Sequence, residues 1–168
     1  AAAAAATITP MTLPGMAGAQ QAGLRIIGRE CWEAFAPLID SGLVGRDVHD
    51  RLLAASRITD ADMTEAEAVR QSFGTEVEAL LADFDAVALP TLPAAPPSLL
   101  AATDPAAALQ MTANCRPFNL SGHPAIALPV GEVGGAPVSL QLVGRKGGDE
   151  ALCALARTIP LFMKGETA

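Results

Sequence analysis

Between Asp85 and Ala156 the chain is punctuated so densely by proline and glycine that few folds remain open to it. The centre of this stretch is Asn119-Leu120-Ser121-Gly122-His123-Pro124-Ala125-Ile126-Ala127-Leu128-Pro129-Val130-Gly131. A loop holding Asn119 and Gly122 leads into a short apolar run that Pro129 stops, because proline has no N–H to give to a strand ladder. A second apolar run follows from Pro137 to Gly144. Gly131, Gly134 and Gly135 lie between the two, and glycine enters positive φ without a Cβ clash, so a tight reversal is cheap there. Two short runs joined in this way predict a β-hairpin. A helix opened by Asp149 comes next. The intervening Gly144-Arg145-Lys146-Gly147-Gly148-Asp149 is read as a strand-to-helix turn. It has neither of the glycine-rich phosphate-binding patterns, and Asp149 with Glu150 would repel an anion from that helix terminus.

Upstream the period changes to that of helices. Leu24, Ile27, Cys31, Phe35 and Leu38 recur at spacings of three and four between Ala19 and Ile39, predicting an amphipathic helix with Gly42 as its stop. Asp47 is placed to cap a second, short helix through Ala55, with Val48 and Leu52 turned inward. Thr59 or Asp60 then caps a long third helix whose apolar stripe is Met63, Ala66, Val69, Phe73, Val77, Leu80, Leu81 and Phe84. Its charges, Glu65, Glu67, Arg70, Glu76 and Glu78, fall mostly off that stripe and read as a solvated face. Asp85 to Pro90 is a short apolar run suited to a buried strand. Prolines at 90, 93, 96, 97 and 105 make the next segment a rigid connection, and a short helix is expected around Ala106 to Ala113. Helices around a mixed sheet define an α/β layer architecture. About three strands are too few to cover so many apolar helices, so the sheet is expected to be completed by residues not in this chain.

Composition narrows the partners. With 168 residues, 51% of them hydrophobic, the chain is long enough for one domain with a real core. The net charge is −7, and nine Arg and two Lys are scattered singly, which argues against nucleic acid or an anionic membrane as partner. No apolar run approaches the ~18 residues of a spanning helix, and no basic segment precedes an apolar one at the N-terminus as a signal peptide requires. Cys31, Cys115 and Cys153 are odd in number and widely spaced, which suits free thiols in the cytoplasm better than disulfides or zinc.

Residues suited to self-contained chemistry are few. None of the six serines lies in G-x-S-x-G. Ser121 and His123 are read as a turn residue and a surface imidazole, since close neighbours in an extended loop point apart. Cys115 lacks an evident base and is read as a small buried thiol. No cluster of His, Asp, Glu or Cys has metal-ligand spacing, and no cofactor is expected. Read from its own residues, the chain carries no active site.

The residues do, however, resemble the C-terminal portion of the amidase signature family. Phe84 to Pro93 resembles the family's D-x-x-x-x-P-T-x-P element. Asn119 to Gly131 resembles its N-x-x-G-x-P-A-x-x-x-P-x-G segment, and Pro137 to Gly144 its P-x-x-L-Q-L-x-G strand. Residues 1–9 then read as a low-complexity lead-in and residues 10–168 as the C-terminal portion of one amidase-like domain. The resemblance implies an enzyme that cleaves the C–N bond of a non-peptide amide or ureido substrate through a Ser-Ser-Lys triad. No two serines are adjacent here, and Lys146 and Lys164 fall in a turn and the tail, so the triad is expected outside this chain, in the N-terminal portion or a companion chain. This chain alone is expected to be inactive.

What remains for it is scaffold and pocket wall, for which Thr91, Thr112, Cys115, Arg116 and Asn119 are the candidates. Arg116 would pair with an acidic or ureido substrate or form a structural salt bridge. Asn119 would fix its loop through the backbone or face the substrate. In glutamyl-tRNA amidotransferases the A-type chain carries an acidic residue where Thr112 stands, and its Asn-Leu-Ala-Arg-Tyr-Asp-type stretch has no match around Arg29 to Phe35. A general amide hydrolase is therefore preferred, with an amidotransferase A-type subunit or a catalytically inactive binding module as alternatives. A homodimer is left open. If the chain is half of a domain, a large apolar patch should lie exposed on it.

Overall fold

The computed structural model describes residues 6–98, 100, 104 and 109–160. The predicted hairpin forms from β2 (Ala125–Val133) and β3 (Ala136–Val143), and β1 (Val87–Pro90) pairs antiparallel with the other side of β3, giving the order β1-β3-β2. Gly134 and Gly135 both sit at positive φ, 61° and 79°. That pair makes the two-residue reversal whose twist matches the strands it joins. Pro129 does not stop β2 as expected. The strand continues to Val133, and the register shifts between Pro129 and Gly131 instead. A strand at the edge of a sheet tolerates a missing N–H where a bulge already breaks the ladder.

Helices cover both faces of the sheet. On one face, Val87, Leu89 and Val143 meet a core built from α1 (Met16–Phe35), α3 (Asp60–Asp83) and α4 (Arg116–Ser121). Its centre is Phe73 against Phe118, ring centroids 5.8 Å apart, with Val77, Leu81, Ala66, Ala19, Ala22 and Ile26 around them. On the other face, Ile126, Leu128, Leu140 and Leu142 receive Leu152 and Ala156 of α5 (Asp149–Ala156). The alternation of β3 thus sends Val143 one way and Leu142 the other, as period-two geometry requires. The α/β layer architecture expected from the sequence is what forms.

Helix α3 follows the sequence closely. Thr59 is its cap: its hydroxyl accepts from Asp62 N–H, and the Asp62 carboxylate returns to Thr59 N–H at 2.9 Å. Phe73, Val77, Ala66 and Leu81 of the expected stripe are buried. Expectations for three elements are corrected. In α1 the buried face is Ala19, Ala22, Gly23 and Ile26, whereas Ile27 and Phe35 are about half exposed, at 54% and 50%. Pro37 and the short turn Ala36–Leu38 end that helix before Gly42. In α2 (Arg46–Ala55), Leu52 and Ala55 are buried but Val48 is exposed, and the cap is Gly45 without a side-chain bond. Finally, Arg116 to Ser121, which overlaps the loop expected at Asn119 and Gly122, is the helix α4. Of the short helix expected at Ala106 to Ala113, residues 109–111 are helical and 106–108 lie outside the described residues, as does part of the proline-rich connection. Ile8, Met11, Ile27, Phe35, Leu38, Leu43, Val130 and Val133 are among the large apolar side chains left exposed.

Candidate functional site

The end of β1 and the turn leading into α4 are stitched together by backbone carbonyls. Asn114 Nδ2 donates to Pro90 O at 2.9 Å, Gln141 Nε2 on β3 donates to Asn114 O at 3.0 Å, and Cys115 Sγ donates to Thr91 O at 3.4 Å. Thr91 continues the pairing of β1 through its N–H to Ser139 O. These bonds bring Thr91, Cys115 and Arg116 into one neighbourhood. Burial pushes the Cys115 thiol above its ordinary pKa of 9.0, so it stays protonated near neutral pH, in keeping with a quiet thiol.

Arg116 is the most constrained side chain of the group. Its stem lies against Gly23 of α1, where an added Cβ would come within 2.9 Å of Arg116 Cγ. Its Nη2 donates to Thr112 Oγ1 at 2.6 Å, and that hydroxyl donates in turn to Leu109 O at 2.9 Å. No carboxylate among the described residues pairs with it, so the structural salt bridge allowed by the sequence is not formed there. Burial lowers the pKa of its guanidinium below the ordinary arginine value. Its Nη1 and the Thr91 Oγ1 are both buried without a hydrogen-bond partner among the described residues. Four of the five candidates, Thr91, Thr112, Cys115 and Arg116, are therefore linked by these contacts. Asn119 stands apart. It is exposed, its side chain bonds to none of the described residues, and it faces a depression of about 370 Å3 shared with His123. Among the described residues Asn119 makes no loop-fixing side-chain bond, and Gly122, at φ 73°, ends α4.

That left-handed glycine also overturns the reading of Ser121 and His123. They do not lie in an extended loop. The reversal at Gly122 folds the chain back, so that Ser121 Oγ and His123 Nδ1 come within 2.8 Å, and both residues are buried, at 6% and 5% exposure. Lys146, in the β3–α5 turn, lies against this corner and pairs with Glu78 of α3 at 2.7 Å. Burial first and the Lys146 charge second lower the His123 pKa from 6.5, with Glu78 opposing them. The sequence signal that could have found the pair was Gly122 itself, a helix-ending glycine placed between them. Ser121 and Lys146 also line a second depression of about 430 Å3 along α3. Among the described residues no group of three or more His, Cys, Asp or Glu is placed to hold a metal ion, and no helix is long and apolar enough to cross a membrane.

A three-strand antiparallel sheet between helical layers, entered through the Asn119–Gly131 segment, defines a part of an amidase-type α/β domain. The chain belongs to the Amidase family, whose model matches residues 14–153. Among curated relatives, the A-type chain of the glutamyl-tRNA(Gln) amidotransferase of Halobacterium salinarum is 38% identical over 96 residues, covering 56% of this chain and 23% of the relative. Its counterpart in Pseudothermotoga lettingae is 37% identical over 103 residues, 61% of this chain and 22% of the relative. Among solved structures, an amidase superposes with a TM-score of 0.77 at 27% identity, over 88% of this chain and 36% of that one. The corresponding amidotransferase chain of Thermotoga maritima superposes at 0.69 with 26% identity, over 89% and 33%. This chain thus spans between about a fifth and two fifths of the proteins it resembles.

Proposed function

We propose that this chain is the C-terminal portion of an amide hydrolase acting on a small non-peptide amide or ureido compound in the cytoplasm. The observation that carries the reading is the family match over residues 14–153 together with the superposition on an amidase at 27% identity. In this reading residues 10–168 belong to one amidase-like domain, and the Ser-Ser-Lys triad lies in the part of the domain outside the chain. The lysine, through the bridging serine, deprotonates the nucleophilic serine, and backbone N–H groups receive the oxyanion of the acyl-enzyme route. The residues here are consistent with that division of labour. Lys146 is held by Glu78, and Ser121 is buried against His123. Thr91, Thr112, Cys115 and Arg116, with Asn119 beside them, form the pocket wall, and Arg116, a cation without a carboxylate among the described residues, suits the electron-rich oxygens of an acidic or ureido substrate.

The test is ammonia release from a panel of simple amides and ureido compounds. The expected result is no turnover by this chain alone and turnover when it is supplied with the remainder of an amidase domain. Turnover by the chain alone that Ser121→Ala abolishes would refute the placement of the triad elsewhere. Failure of the completed domain on every amide would favour an inactive binding or assembly module. A second reading, an A-type subunit working with companion chains, is favoured by the curated relatives, which are amidotransferase chains of that type at 37–38% identity. It predicts glutamine as the one productive amide.

A further inference from the structure

Gln141 is a polar side chain placed where packing alone would put an apolar one. It stands on β3 opposite Leu89 of β1 and Ala127 of β2, on the same face as Val143, and is 4% exposed. A buried amide is unfavourable unless it is bonded, and a methionine would fill the space without that cost. The Gln141 Nε2 donates to Asn114 O at 3.0 Å. A carbonyl only accepts, so the contact fixes which end of the amide faces Asn114.

Asn114 and Cys115 carry the tether on to β1. Asn114 Nδ2 donates to Pro90 O at 2.9 Å, again a carbonyl, and Cys115 Sγ donates to Thr91 O at 3.4 Å. Pro90 is the last residue of β1, and Cys115 directly precedes α4. The Arg116–Thr112 bond, by contrast, closes within the turn and cannot place it against the sheet. We propose that Gln141 is a positioning residue: through Asn114 it holds the turn that carries Arg116 against the end of β1, and thereby sets the preference of the assembled site for amides that bear a carboxylate. That preference rests on the pocket-wall reading of Arg116; the positioning rests on the hydrogen bonds alone.

Gln141→Met keeps the length of the side chain and removes the donor. Asn114→Ala, at a half-buried turn position, removes the donor to Pro90 O and leaves the carbonyl that Gln141 reaches. Iodoacetamide labelling of the native chain, read at each cysteine by mass spectrometry, follows the turn through Cys115, with the half-buried Cys31 of α1 as internal reference. Each variant should speed Cys115 labelling about tenfold, the worth of one hydrogen bond, while Cys31 keeps its rate. An unchanged Cys115, or a Cys31 that rises in step with it as general loosening requires, overturns the positioning. In the chain combined with the rest of an amidase domain, each variant should lose about tenfold on succinamate relative to butyramide, in KM rather than kcat. Equal losses on the two amides, or a loss confined to kcat, overturn the preference. Ammonia from neither amide in the parent sinks the hydrolase reading and the preference with it, and the labelling of Cys115 still decides whether Gln141 positions the turn.

Discussion

Gly23 offers a substitution whose sign depends on one neighbour. It is buried in the interior of α1, facing α4, and a Cβ there would lie 2.9 Å from Arg116 Cγ, 3.2 Å from Arg116 Cδ and 3.8 Å from Leu120 Cβ. Helix propensity alone favours alanine over glycine by about 0.8–1.0 kcal/mol. Against this, the Arg116 stem must move, and its far end is tied to Thr112 Oγ1 at 2.6 Å. Overpacking of this kind costs about 1–3 kcal/mol and a lost hydrogen bond about 1 more. Gly23→Ala should therefore destabilise the chain by about 1–3 kcal/mol, the propensity gain included. In an Arg116→Ala background the obstacle is gone, and the nearest contact becomes the ordinary one to Leu120. The same substitution should then stabilise by up to about 1 kcal/mol. Urea unfolding of the four proteins, followed by far-UV circular dichroism, reads both effects as midpoint shifts of roughly 0.5–1 M in opposite directions. If Gly23→Ala has the same sign in both backgrounds, or the coupling is under about 0.5 kcal/mol, Arg116 does not occupy the α1–α4 seam as described.

His123 has a folded pKa below its ordinary 6.5, so the unfolded chain binds the proton first as pH falls and stability drops through the window beneath 6.5. His123→Asn, which retains an acceptor for Ser121 but does not titrate, should flatten the dependence of the urea midpoint between pH 7 and 5, and a slope equal to the parent's would count against the buried imidazole. Lys146→Met removes the neighbouring charge and should raise the His123 pKa, read by NMR titration. Thr59→Ala removes the hydroxyl half of the α3 capping box while the backbone N–H at 59 still donates to Asp62, and should cost about 1 kcal/mol in the same unfolding assay. Phe118→Ala empties the centre of the larger core, at 0% exposure, and should cost about 3–5 kcal/mol, enough to abolish cooperative unfolding in a marginal domain.

The elements that the sequence announced are those whose signals are local. Thr59 and Asp62 cap α3 through bonds three residues apart, and Gly134-Gly135 makes the hairpin because both need positive φ. Helix α4 was missed for an equally local reason: six residues carry barely one apolar period, and its real marker is the pairing of Pro117 near its start with Gly122 past its end. The candidate residues Thr91, Cys115 and Arg116 were legible as loop residues near strand ends, but not their linkage. That depends on carbonyls freed at the end of β1, which only the β1–β3 pairing locates.

The face of α1 was illegible for a different reason. At 100° per residue, the expected stripe of Leu24, Ile27, Cys31, Phe35 and Leu38 lies about 130° around the helix from the buried stripe of Ala19, Ala22, Gly23 and Ile26. Both are apolar, so periodicity cannot rank them; the large residues win on hydrophobicity and the small ones on closeness of approach. Contact with α3 and α4 selects the small face, because Gly23 is where the Arg116 stem passes and Ala19 and Ala22 share one buried cluster with Phe73 and Phe118. Ile27 and Phe35 are left half exposed, and Ala125 and Ala127 of β2 are exposed as well. A helix apolar on two faces is one that packs between two layers. In the proposed position of this chain within a larger amidase domain, the half-exposed Ile27 and Phe35 would be the side chains of α1 that meet the remainder of that domain.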